Sequence, residues 1–114
     1  MQGNNWPGEW LRGVLEVSVL RVLSDGASYG YAIAQRLAQA GYGDIKGGTL
    51  YPLLSRLESS GLVTTHWAAG EGGPGRKFFE LTPAGRERSD ALSDDWGRFA
   101  ELTSRFVTHS GSTQ

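Results

Sequence analysis

The chain has no cysteine, one methionine and two histidines among its 114 residues. Without thiols there can be neither a disulfide scaffold nor a thiolate metal site. His66 lies in a strand-like run and His109 in a polar tail, with no carboxylate cluster in register. No metal centre, triad or other catalytic arrangement is legible, so an enzyme is not expected and no cofactor is called for. No apolar run reaches the roughly 18 residues that a membrane span requires. Met1 opens no secretory signal pattern either. A cytoplasmic chain without a membrane partner is the expectation.

An excess of one charge is also missing: 11 Lys and Arg stand against 12 Asp and Glu, a formal net charge of −1. Nucleic-acid-binding domains are more often basic overall, so this balance argues against DNA unless the charge is unevenly placed. It is. Residues 1–88 carry nine basic and eight acidic side chains, whereas residues 89–114 carry two and four. What governs binding to a polyanion is the number of phosphates neutralised locally, and a dimer doubles that number. At this length a single small domain has a modest core, and association between chains would help stabilise it.

Glycine is abundant, with 17 residues, and it separates well-patterned segments. Trp10–Leu23 is apolar on most faces and reads as the deepest helix, closed by Asp25 and Gly26, with Pro7 near its first turn. Ser28–Gln39 reads as a second helix, with Ser28 as its cap, Ile33 and Leu37 as a core pair, and Gly41 as its stop. In GGTLYPLLSRLESSGLV, residues 47–63, the leucines 50, 53, 54 and 57 form one apolar stripe. Thr49, Tyr51, Pro52, Ser55, Arg56 and Ser59 face the other way, a hydrogen-bonding surface with one guanidinium that suits a DNA groove. Pro52 sets the first turn of this helix near Gly48 or Thr49, where free backbone N–H groups point towards an anion.

Strand-like runs follow at 62–69 and 76–81, separated by GEGGPG, which reads as a hairpin loop longer than a two-residue turn, with Arg76 and Lys77 at its foot. Gly70, Gly72 and Gly75 also spell G-x-G-x-x-G. The dinucleotide reading is rejected, because a strand rather than a helix follows. Thr82 and Pro83 then mark the cap and first position of a last helix reaching about Val107. Its residues Leu92, Trp96, Phe99, Thr103 and Phe106, with Leu102, recur at steps of three and four and need a partner. That partner is either the chain's own domain or the first helix together with the last helix of a second copy.

Helix, helix and hairpin with a basic base is the order of a winged helix-turn-helix, whose second helix enters the major groove while the wing touches flanking backbone. The expected fold is mainly α (α+β). A DNA-binding domain would span 7–82 and a C-terminal dimerisation helix 83–108, with 1–6 and 109–114 disordered. Candidate DNA contacts are Lys46, Gly48, Thr49, Tyr51, Ser55, Arg56, Arg76 and Lys77. Among these, Lys46, Arg56, Arg76 and Lys77 are expected along one surface, with Tyr51 on a phosphate and Ser55 nearer the bases. Candidate interface residues are Leu92, Trp96, Phe99, Leu102 and Phe106.

SYGYAIAQRL, GGTLYPLLSRLESSGLV and RKFFELTPAGRE, in this order, resemble the PadR family of transcriptional regulators over about residues 10 to 90. The GTLYPLLSRLE block is the specific part. The resemblance implies a homodimeric repressor on double-stranded DNA, with an inverted-repeat operator, released by a small aromatic or cationic effector. Ala27 and Tyr29 depart from the proline and histidine common at these places. The family brings its first and last helices together between protomers, which makes Trp10, Trp96 and Phe99 the candidate effector-binding residues. The rival reading is a winged-helix protein-interaction module without useful DNA affinity, which the near-neutral charge permits.

Overall fold

The computed structural model describes residues 6–70 and 73–108. Helix α1 spans Gly8–Ser24, with Pro7 as its N-cap residue, and buries Leu15, Val19, Leu20, Val22 and Leu23. Val19 and Leu20 are fully shielded from solvent, as the apolar character of this segment requires. The turn after it uses Gly26 at φ 138°, a conformation that strains any side chain.

Strand β1, Ser28–Tyr29, comes next, and helix α2 runs Gly30–Leu37 with Tyr29 as its N-cap residue. This corrects the expected helix start. Ser28 makes no cap bond but pairs with Phe79, and Tyr29 pairs with Phe78. A two-residue strand is too short to show any alternation, and the local signal of a capping serine hid it. Ile33 and Leu37 are buried, as their spacing predicts. A π-helical turn, Ala38–Tyr42, then ends at positive-φ glycines 41 and 43.

Helix α3 spans Gly47–Ser59 and buries Leu50, Leu53, Leu54 and Leu57, the predicted stripe. It begins one residue earlier than Pro52 implied. The Lys46 carbonyl accepts from both Thr49 N and Leu50 N, closing the first turn around Gly47. Pro52 leaves the Gly48 carbonyl without its helical donor, at an exposed residue that water can reach.

Strands β2, Val63–Gly70, and β3, Gly73–Leu81, form the wing, and β1 adds to β3, giving a three-stranded antiparallel sheet in the order β1-β3-β2. The expected long hairpin loop is therefore shorter. Gly70 faces Gly73 across the ladder, with an irregularity between Ala68 and Gly70. Pro74 is tolerated because β1 pairs only with Phe78 and Phe79, leaving that edge of β3 open at the proline. The two connecting residues, Glu71 and Gly72, lie outside the described residues, so only the flanks of the G-x-G-x-x-G spacing can be placed. A strand follows it, not a helix.

Helix α4 spans Pro83–Thr108. Thr82 caps it as predicted: its Oγ1 accepts from Gly85 N at 3.0 Å and donates to the Gly61 carbonyl at 2.7 Å. The first half of α4 packs on α1, where Arg88 pairs with Glu16. The molecule measures 60 × 34 × 20 Å along its principal axes. Trp6, expected in a disordered leader, instead donates its indole N–H to the Gly41 carbonyl at 2.8 Å. The expected disorder at 1–5 and 109–114 falls outside the described residues.

Candidate nucleic-acid interface

Because the leucine stripe of α3 fills the core, its opposite face is left outside: Thr49, Tyr51, Pro52, Ser55, Arg56 and Ser59 are all exposed. Arg56 forms no ion pair among the described residues, whereas Lys46 is paired with Asp44 at 3.1 Å. Gly48 has open space around it, so the first turn of α3 is accessible at its backbone.

Tyr51 does more than face solvent. Its ring lies across Gly30, the first residue of α2, and a β-carbon on Gly30 would come within 2.1 Å of the Tyr51 hydroxyl oxygen. The tyrosine is half exposed, 50%, while Gly30 beneath it is buried. Tyr51 thus joins the start of α2 to the outer face of α3. The sequence held no sign of this long-range contact.

The two basic residues of the wing do not share one surface. They are adjacent in β3, so the pleat turns them to opposite faces. Arg76 donates to the Tyr29 hydroxyl at 2.8 Å, its guanidinium 4.4 Å from the centre of that ring. Lys77 instead faces Glu58 of α3, 3.8 Å from its carboxylate, and the other Glu58 oxygen accepts from Thr65 at 3.1 Å. Glu58 ties the wing to α3 and offsets the charge of Lys77. Of the four cations expected along one surface, two have an acidic partner close by.

A second feature lies between α1 and α4. Trp10, Trp96 and Phe99, the three residues named for an effector, line one open groove of about 830 Å³ between α1, α4 and the π-helical turn. Trp6, Tyr42 and Val14 add to its apolar wall, and Glu9 is its one charged lining residue among those described. Trp96 and Phe99 meet edge to face with ring centres 6.4 Å apart. Along the α4 seam, Leu92 packs on the chain's own core, so the unpartnered part begins at Trp96. Phe99 and Leu102 are largely exposed, and Phe106 is 82% exposed.

A family model described as the transcriptional regulator PadR-like family matches residues 19–91. The chain is 34% identical over 94 residues to the transcriptional regulator Rv3488 of Mycobacterium tuberculosis, which covers 82% of this chain and 83% of that protein. Among solved structures, it is similar to a PadR-like transcriptional regulator from Bacillus cereus, with a TM-score of 0.79 and 29% identity over 89% of this chain and 98% of that one. A PadR family regulator from Eggerthella lenta is similar at a TM-score of 0.76 and 33% identity, covering 88% and 87% of the two chains.

Proposed function

The chain belongs to the PadR-like family of transcriptional regulators, and from that premise we propose that it acts as a homodimeric repressor that binds an inverted-repeat operator in double-stranded DNA. The observation that carries this reading is the outer face of α3. Hydrogen-bonding side chains and one arginine without an ion pair among the described residues stand there on a helix whose opposite face is locked into the core. Such a helix presents base-reading groups to a major groove, with Thr49 and Ser55 towards the bases and Tyr51, Arg56, Arg76 and the first-turn amides of α3 towards phosphates. Lys46 and Lys77 join them when phosphate replaces their carboxylate partners.

Two copies joined through the exposed seam of α4 would present two such helices to half-sites about one turn of DNA apart. Steric blocking of a promoter needs no further surface, which favours repression. The groove at Trp10, Trp96 and Phe99 is the site of release by a planar aromatic or cationic effector, because its walls are aromatic and Glu9 is its one charged lining residue among those described.

Selection of bound duplexes from a randomised DNA pool at moderate salt, followed by sequencing, tests the operator. An inverted repeat is expected. The pairing of Lys46 and Lys77 with acidic neighbours favours a second reading, a protein-interaction module, and failure to enrich any sequence from folded, effector-free protein would support it.

A further inference from the structure

Arg76 differs from the other cations near the wing in how it is held. Lys46 and Lys77 each face a carboxylate, which fixes a cation only by offsetting its charge. Arg76 is held by a neutral group, the Tyr29 hydroxyl and ring. The hydroxyl occupies one of the five guanidinium N–H donors and leaves the full positive charge and the other donors outward.

Tyr29 is itself fixed. Its backbone pairs with Phe78 across the β1–β3 ladder, and its ring meets the Phe78 ring edge to face at 5.3 Å. Phe78 in turn stacks on His66 from β2 at 5.7 Å and 11° between planes. The three strands thus supply one aromatic row ending in a guanidinium. Tyr29 is also the N-cap residue of α2, and the next residue, Gly30, lies under Tyr51. Arg76 and Tyr51 thus each contact one of the two residues that open α2, Tyr29 and Gly30.

We infer that Tyr29 is a positioning residue for DNA binding, holding Arg76 in the geometry in which it meets a backbone phosphate at the start of α2. The inference rests on the DNA-binding reading above. An arginine on an exposed hairpin otherwise samples many rotamers and loses that freedom on binding. Tyr29 removes that cost in advance without removing charge.

The test uses the full chain and its selected operator, with affinity measured at several salt concentrations for Tyr29→Phe, Tyr29→Leu, Arg76→Ala and the two double variants. Arg76→Ala should weaken binding and lower the magnitude of the salt slope by about 0.9 per protomer, the value for one lost phosphate contact. The Tyr29 variants should weaken binding by about three- to tenfold at an unchanged slope, leucine more than phenylalanine. In the Arg76→Ala background neither should have a further effect. Equal losses with and without Arg76, or none at all, would overturn the inference while the wild-type chain still binds. A wild-type chain that binds no duplex would overturn the DNA reading and this inference together.

Discussion

Gly85 sits against the backbone of Leu62, so closely that a β-carbon there would come 2.0 Å from the Leu62 carbonyl oxygen and 3.1 Å from Leu81 Cδ2. That same carbonyl accepts from Thr82 N at 3.0 Å, at the point where the wing hands over to α4. A carbonyl held in this way cannot move aside cheaply. Gly85→Ala is therefore expected to destabilise the fold by about 1–3 kcal/mol, the usual cost of overpacking. Gly13→Ala, on α1 with open space around it, should instead be neutral or stabilising by up to about 1 kcal/mol. Urea unfolding of both variants would check the contrast.

Gly30 presents the opposite case, because what would meet its β-carbon is the half-exposed ring of Tyr51. The ring can swing into solvent. Gly30→Ala should change stability by less than about 1 kcal/mol, since the helix gains propensity as the contact is lost. Operator affinity, by contrast, should fall as Tyr51 leaves its place beside α2. Melting curves and operator titrations on the same preparation separate the two effects; full affinity in Gly30→Ala would remove Tyr51 from the interface.

The difference between these glycines also marks what sequence can reveal. Periodicity found the leucines of α3, and cap chemistry found Thr82, because both are local rules that tertiary packing left intact. Trp10, Trp96 and Phe99 were expected to meet between protomers, on the resemblance alone, whereas the structure lines one groove with all three inside a single chain. Gly30 under Tyr51, Tyr29 on Arg76 and Glu58 beside Lys77 join residues distant in the chain, and no spacing rule connects them. The opposite faces of Arg76 and Lys77 were legible in principle, since adjacent strand residues alternate. Reading the pair as the base of a loop concealed it.

Asp25 joins Arg21 of α1 and Arg36 of α2 at the turn between the helices. Hydrogen bonds from Arg21, then from Arg36, hold its carboxyl below its ordinary 3.8. A depressed carboxylate contributes stability that is fully present above its unfolded value and is lost as pH falls through the lower folded one. Wild type and Asp25→Asn should therefore differ most at neutral pH, with the variant less stable, and converge below 3.8. The site is exposed, so salt should shrink the difference. Unfolding curves across this pH range, at low and high ionic strength, measure both effects.

Phe99, Leu102 and Phe106 leave apolar side chains exposed along the second half of α4. Burying it between two copies would remove these side chains from water, at roughly 25 cal/mol per Å² of apolar area. A charge placed there opposes association without entering the domain core. Leu102→Glu and Phe106→Lys are expected to keep the folded far-UV signal and sediment as a 12.3 kDa monomer. Operator affinity should drop by far more than twofold, because each half-site must then be bound independently. Wild-type protein that is already monomeric at micromolar concentration would defeat the dimer.

The groove between α1 and α4 supplies the last test, because its walls and its charge act on different properties of a ligand. Trp10, Trp96 and Phe99 offer flat apolar surface to any planar aromatic compound, whereas Glu9 favours only a cationic one. Trp96→Ala should therefore lower affinity for cationic and neutral aromatics alike, along with their quenching of tryptophan fluorescence. Glu9→Gln should lower affinity for a cationic aromatic while leaving its neutral isostere unchanged, by about two- to fivefold given the open groove and solvent screening. Release from the operator should follow the same ranking if this groove is where the effector acts. Equal losses for both ligands in Glu9→Gln would mean that the carboxylate shapes the wall rather than selects charge.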